Sequence, residues 1–225
     1  VRPARGGLWF AGGAVVATPA WCRAMLESMP SIRLLAGVEA IRLKDATDLW
    51  QVEDRAGGVH QAPVVVVASA VQAVHLLGAE RMPVRPIRGR LSRLAPGELA
   101  QLRAGITGDG YVIPCVDGRA AVGATYEEVP ADAEPALADS AAHRANLQRL
   151  GRLLAQAPPV RVEGAFDAVR CVSTDRMPYA GAVGDEREAV AGIHRLRGAH
   201  LDDVPRRPRL YCAFALGSRG LSLAA

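Results

Sequence analysis

The chain has 225 residues, half of them hydrophobic, with 27 basic against 23 acidic side chains and a net charge of +4. That composition excludes a disordered polymer and leaves room for one large domain or two lobes. Every basic residue except Lys44 is an arginine. Arginine suits bidentate recognition of carboxylate or phosphate, but codon bias in an Ala- and Gly-rich chain gives the same excess, and the two explanations coexist.

Gly6, Gly7, Leu8, Trp9, Phe10, Ala11, Gly12 and Gly13 open the chain with a glycine-bracketed aromatic segment, suited to a short strand or a pocket-lining loop. Thr18 reads as an N-cap and Pro19 as the first helical residue. Trp21, Met25 and Leu26 form the apolar side of that helix, and Pro30 lies just past its end. From Ile32 the period changes to that of strands: 32–35, 38–43 and 49–53, with a turn at Ala56, Gly57 and Gly58. Val64 to Val67 is an all-apolar run that suits a strand covered on both faces in a parallel sheet. Ala68, Ser69 and Ala70 follow at its carboxyl end, where open α/β sheets bind ligands.

Pro83, Pro86 and Gly89 punctuate the next region. Residues 109–114 lead to Asp117-Gly118, a hairpin signal before 120–126, so an antiparallel platform is expected here. The acidic, proline-containing stretch 127–134 reads as a solvated loop. Leu147, Leu150 and Leu154 then share a helix face stopped by Pro158 and Pro159. A strand is expected over 166–172, a tight turn over 175–181, and a charged irregular connection over 185–209. Leu210 to Ala215 reads as a buried strand running into Gly217, Ser218, Arg219, Gly220 and Leu221, a glycine turn that exposes main chain to a ligand and sets a cation beside it.

Cys22, Cys115, Cys171 and Cys212 are far apart, without a C-x-x-C pair. His60, His75, His143, His194 and His200 form no H-E-x-x-H and have no evident partners. No metal site and no disulfide framework are expected. No apolar run reaches the length of a membrane span and no signal peptide is visible, so a reducing cytoplasm is the expected compartment.

Several segments, in order along nearly the whole chain, resemble one family, the flavin-dependent amine oxidoreductases of the D-amino-acid oxidase and glycine oxidase type. They are Gly12-Gly13 through Pro19, the valine strand with Ala68-Ser69-Ala70, 84–89, 111–114 with Gly123-Ala124-Thr125, 170–181 and 210–223. Asp109-Gly110-Tyr111, Gly123-Ala124-Thr125-Tyr126, Arg170-Cys171 with Asp175-Arg176-x-Pro178-x-x-Gly181, and 215–221 look most like the C-terminal oxidoreductase domains of the bifunctional tRNA 5-methylaminomethyl-2-thiouridine biosynthesis proteins.

The resemblance implies a mixed α+β and α/β architecture. An antiparallel substrate-binding lobe would comprise 1–15 and 79–205, and part of a Rossmann-like FAD-binding lobe 16–78 and 206–225. The chain contains no G-x-G-x-x-G, the turn with which such enzymes hold the FAD pyrophosphate. It starts at Val1 and stops at Ala225, where the family continues into a long helix. It therefore reads as an interior part of a two-lobed flavoprotein, expected to be inactive and marginally stable in isolation, with exposed strand edges.

The implied cofactor is FAD, and the implied partners are tRNA and a methyltransferase domain in the same parent polypeptide. The implied reaction removes a hydride from the carbon between amine and carboxylate and transfers it to the flavin, after which water hydrolyses the imine. On a wobble uridine this takes the carboxymethyl arm away as glyoxylate and leaves an aminomethyl group. Arg170 matches the carboxylate-binding arginine of the family; the alternative is a structural arginine paired with Asp167 or Asp175. Tyr111 matches a tyrosine that closes the pocket and donates its hydroxyl to the substrate, or it is hairpin packing. Arg219 would lie beside the flavin and stabilise negative charge there, whereas related glycine oxidases place their second substrate arginine at the position of Ser218.

For the cofactor, Val38 matches the adenine end, and Ala68, Ser69 and Ala70 match small residues packed on the dinucleotide. Gly217, Ser218, Gly220 and Leu221 match the turn around the ring. Asp175, Arg176 and Pro178 read as a structural turn. Arg85, Arg88, Arg90 and Arg93 would give a tRNA-modifying enzyme an open, basic mouth. Two other readings stand beside this one: an oxidase of free glycine, sarcosine or a D-amino acid, and a binding module or split-gene remnant without catalysis of its own.

Overall fold

The computed structural model describes residues 2–116, 118–134, 140–196, 198 and 200–217. The chain divides into two compact units, Val1–Leu34 with Ile87–Val169 and Leu35–Pro86 with Arg170–Ala225. The expected lobe boundaries near 79 and 205 differ from this division. Residues 79–86 and 170–205 join the second unit, because the strand over 179–184 pairs with the last strand of the chain.

The first unit opens with an exposed loop over the glycine-bracketed segment and helix α1, Thr18–Glu27. Ala17, not Thr18, is the N-cap, since the Trp21 N–H already donates to the Ala17 carbonyl, and no residue of α1 is buried. The core of this unit forms where helix α3, Ser140–Leu153, lies on the antiparallel strands β7, Gly110–Val116, and β8, Arg119–Gly123. Leu94, Leu102, Val112, Ala120, Val122, Leu150 and Leu154 pack there. The leucine face read from the sequence is the buried face, and the β7–β8 pair is antiparallel, with Val116 opposite Arg119. Asp117 of the expected hairpin turn lies outside the described residues.

The sheet runs β10-β5-β8-β7-β6, with β6 at Ile106–Gly108 and β9, Glu127–Glu128, also pairing with β5. Strand β5, Val84–Leu94, passes through Pro86 and Gly89, which the sequence reading took as punctuation. Pro86 precedes the stretch that pairs with β9 and β8, so its missing N–H falls outside those ladders. Strand β10, Val162–Ser173, extends beyond the expected 166–172.

A buried polar cluster ties α3 to β5. Ser92 and Asn146 are fully buried; the Asn146 amide donates to Ser92 Oγ at 3.1 Å and to the Arg90 carbonyl at 3.1 Å, and Ser92 Oγ meets His143 Nδ1 at 2.8 Å. His143 thus has a partner that the sequence did not reveal.

The second unit contains a meander, β1 Ala40–Ala46, β2 Leu49–Asp54 and β3 Val59–Ala62. No strand forms at 32–35, because the chain first turns at Gly37, whose φ of +74° is in the left-handed region. The second sheet has the order β11-β12-β4, with β4 Val65–Val67, β11 Tyr179–Gly184 and β12 Arg206–Phe214. Strand β4 pairs in parallel as expected, but Val64 and Val66 are exposed, so only one face is covered. Helix α2, Gln72–Leu77, follows β4 and buries Ala73 and Leu77.

The stretch expected to be irregular, 185–209, carries helix α4, Glu186–Ala191, and the start of β12. Asp185 caps α4 by accepting from the Glu188 N–H at 2.9 Å, and the Asp-x-x-Glu spacing was the overlooked signal. Trp50, fully buried, donates its indole N–H to the Pro208 carbonyl at 3.0 Å and fixes the meander to β12.

The β2–β3 turn is held by Asp54. Its carboxylate accepts from the Ala56 and Gly58 N–H groups at 2.9 and 2.8 Å and meets His60 Nε2 at 2.9 Å. A Cβ at residue 58 would overlap that carboxylate, which accounts for Gly58. The hydrogen bond from His60, then that from Gly58, holds the Asp54 carboxyl below the ordinary aspartate range despite opposition from burial. The folded-state pKa is lower than the unfolded one, about 3.9. The stabilisation is therefore complete above that value and is lost as pH falls through the depressed folded value. Thermal melts from pH 6 to pH 2 should show the wild-type chain losing more stability below about pH 4 than Asp54→Asn does; parallel curves would contradict the assignment.

Candidate functional site

The parallel register of β4 and β12 sets Leu210 opposite Val65, Tyr211 opposite Val66 and Cys212 opposite Val67. The carboxyl ends of the two strands therefore lie side by side, running into Ala68-Ser69-Ala70 and Ala215-Leu216-Gly217. Ala70, Ala215 and Gly217 have φ of +53°, +55° and +58°. Left-handed residues after strand ends turn the main chain sharply and leave its polar groups accessible, and in open α/β sheets this end is where ligands bind. Ala68, Ser69 and Gly217 are exposed. Among the described residues, no heavy atom other than its chain neighbours lies within 4 Å of where a Cβ on Gly217 would be.

Strand β10 reaches the same end. The Cys171 thiol is buried and hydrogen-bonds the main chain of Ala215; burial raises its pKa, and that hydrogen bond partly offsets the rise. Arg170, the preceding residue, is half-buried, and strand alternation sends its side chain to the face opposite Cys171. Behind β10 the chain turns tightly. Ser173 Oγ donates to the Met177 carbonyl at 2.6 Å, the Met177 N–H donates to Asp175 Oδ1 at 2.9 Å, and Arg176 takes a φ of +60°. The Tyr179 ring then stacks on Phe214 with centroids 5.3 Å apart. Burial, then the nearby Asp175 carboxylate, raises the Tyr179 pKa.

Of the sequence-derived site residues, Arg170, Val38, Ala68, Ser69, Ala70 and Gly217 thus fall in one compact unit, four of them at adjoining strand ends. Tyr111 is in the other unit, half-buried on β7 opposite Gly123. A side chain at the neighbouring Gly110, whose φ is +102°, would clash with the Gly123 carbonyl at 2.8 Å and with Arg149. Ser218, Arg219, Gly220 and Leu221 lie outside the described residues.

The proposed basic mouth is corrected in part. Arg88 and Arg90, two apart on β5, both face Asp167, at 3.4 and 3.5 Å, and Arg90 also meets Glu127 at 3.4 Å. Arg88 further donates to the Glu134 carbonyl. The side chains of Arg88 and Asp167 are 9% and 7% exposed, which makes them an internal ion cluster rather than the rim of an opening. Among the described residues no group of three His, Cys, Asp or Glu side chains is arranged to hold a metal ion, and no helix is long and apolar enough to cross a membrane.

The family model for FAD dependent oxidoreductases matches residues 1–225. A tRNA 5-methylaminomethyl-2-thiouridine biosynthesis bifunctional protein MnmC from Burkholderia lata is 41% identical over 99% of this chain and 35% of its own length. The protein of that name from Burkholderia mallei is 41% identical over 99% of this chain and 34% of its own. The chain spans about a third of the length of these curated relatives. Among solved structures, glycine oxidase from Geobacillus kaustophilus aligns with a TM-score of 0.59 at 18% identity, covering 78% of this chain and 42% of that one. Iminodiacetate oxidase from Chelativorans sp. BNC1 aligns with a TM-score of 0.58 at 19% identity, covering 83% and 45%. These two likenesses establish the fold.

The thiols report on this geometry. Cys22 is exposed on α1, whereas burial raises the pKa of both Cys171 and Cys212. Alkylation at pH 8 followed by peptide mass spectrometry should label Cys22 before Cys171 and Cys212, since only the thiolate reacts. Labelling of Cys171 as fast as Cys22 would contradict its burial.

Proposed function

The chain belongs to the FAD dependent oxidoreductase family, and we propose that it serves the oxidation of the carboxymethylaminomethyl group on a tRNA wobble uridine to leave aminomethyl-uridine. The observation that carries this reading is the parallel pairing that sets the carboxyl ends of β4 and β12 side by side, with the end of β10 tied to β12 through the Cys171–Ala215 contact. The 41% identity to tRNA-modifying relatives over 99% of the chain supports the choice of substrate. A tRNA substrate also makes the cytoplasm the compartment, and a methyltransferase domain in the same polypeptide would take up the amine product.

The residues fit part of a flavin dinucleotide. Small side chains and left-handed backbone at adjoining strand ends keep the main chain open to it, with Ala68, Ser69, Ala70 and Gly217 against the dinucleotide and Val38 toward the adenine. FAD, when bound, supplies the acceptor for two electrons from the CH–NH bond of the substrate. Arg170 holds the carboxylate with paired N–H donors and so fixes the reacting carbon. Water then splits the oxidised C=N bond into glyoxylate and the aminomethyl nucleoside.

A second reading, oxidation of a free amino acid, draws support from the burial of Arg88 and Arg90, which leaves β5 with a less basic opening than an RNA substrate calls for.

The test is a chimera in which this chain replaces its aligned segment in the Burkholderia lata relative, expressed in a host lacking its own enzyme for this step. Nucleoside mass spectrometry of the host tRNA should show carboxymethylaminomethyl-uridine converted. Turnover of glycine with unchanged tRNA would establish the second reading instead. In the same chimera Arg170→Ala should lower kcat/KM about 100-fold, roughly 2.7 kcal/mol, and Arg170→Lys should fall between, having a point charge without the planar fork.

A further inference from the structure

At the opposite end of β12 lies a cavity of about 330 Å³ that the oxidation site does not use. It is lined by Ile41, Arg42 and Leu43 of β1, by His75, Leu76, Leu77 and Gly78 of α2 and its cap, and by Arg207 of β12. All of these residues belong to the second unit. The lining is apolar below and cationic or protonatable at three points, with no acidic member. Arg42 Nε donates to Glu53 at 2.8 Å, and the guanidinium is exposed.

Arg207 is fixed in place. Its guanidinium stacks 4.8 Å above the Trp50 ring and donates to the Leu77 carbonyl at 3.3 Å. The end of α2, which would otherwise repel an anion, is satisfied internally. The Gly78 N–H donates to the His75 carbonyl, the Ala79 N–H to the Val74 carbonyl, and Arg207 takes the Leu77 carbonyl.

We propose that this groove binds one nucleotide of an RNA, with the base over Ile41, Leu43 and Leu76 and the phosphate held by Arg207, Arg42 and His75. The inference rests on the tRNA reading above and deepens it. The volume is at the small end of ligand cavities, roughly 300–1,000 Å³, which suits a single nucleotide rather than a whole cofactor. The aliphatic side chains give a base an apolar surface, and the few nitrogen donors beside them are placed for a phosphate, the mix of apolar lining and convergent polar groups that ligand pockets show. An acidic peptide would use the charges and leave the apolar floor bare.

From Arg207 to Phe214 the strand rises by about 3.3 Å per residue, roughly 23 Å in all. The groove would therefore hold a part of the tRNA remote from the wobble base, and remote contacts supply binding energy for positioning the reacting group.

The experiment is fluorescence anisotropy of the purified chain with a labelled, transcribed tRNA across a range of salt concentrations. The wild type is compared with the double variant Arg42→Ala, His75→Glu, whose melting temperature is checked separately. The variant should bind about tenfold more weakly, with the slope of log Kd against log salt smaller by about 1, as expected for one lost phosphate contact. Nucleoside monophosphate should compete for the wild type only. Equal affinity and slope in the two proteins would overturn the proposal, as would competition by polyglutamate but not by the nucleotide. The catalytic reading is tested independently: the chimera converting wobble uridine equally well with either groove sequence would sink the groove and leave the reaction standing.

Discussion

The parallel pairing of Val65–Val67 with Leu210–Cys212 is the constraint on which the candidate site depends. It joins a three-residue strand from the first third of the chain to the last strand described. Both strands point the same way, so their carboxyl ends coincide, and both are followed by left-handed backbone, at Ala70 and at Ala215 and Gly217. Tyr179 stacked on Phe214, and Trp50 bonded to Pro208, hold the two ends of β12. Cys171 then ties β10 to Ala215, which sets Arg170 one residue from the junction. If β4 slipped by one residue, its side chains would change face and the junction would be lost.

The arginine excess has several physical uses. Arg88 and Arg90 lie inside, sharing Asp167, where a lysine point charge would replace the planar fork poorly. Arg55 forms a bidentate pair with Glu39 at 2.6 and 2.7 Å, and Arg119 and Arg161 share Glu163. These last pairs are exposed and contribute little to stability. Arg207 combines a stacked face with a remaining donor edge, the combination that makes its groove a candidate for RNA.

Much of this arrangement was legible in the sequence. The valine run and the leucine face of α3 are strong local signals: the run pairs in parallel as expected, though covered on one face only, and the leucines face the core. The last strand was visible from Leu210, but its first four residues were hidden by the charged, proline-containing run 206–209. Strand β5 was missed because Pro86 and Gly89 resemble breakers when pairing partners are unknown. The false N-cap at Thr18 came from a residue type that caps well but here lies one step inside the helix. What no local pattern carries is pairing across the chain. Asp167 with two arginines, Ser92 with His143 and Asn146, and Cys171 with Ala215 are contacts that only the fold creates. The family resemblance was legible because its segments match as a series, while the division into units followed strand pairing that no motif encodes.

The claim at the centre of this account is that the joined ends of β4 and β12 are the FAD platform. Hydrogen–deuterium exchange of the purified chain, with and without millimolar FAD, tests it most directly. Protection that rises together in peptides spanning 66–72 and 211–217, with little change on α3, is the predicted result. Protection confined to other segments, or none at saturating FAD, would contradict the claim.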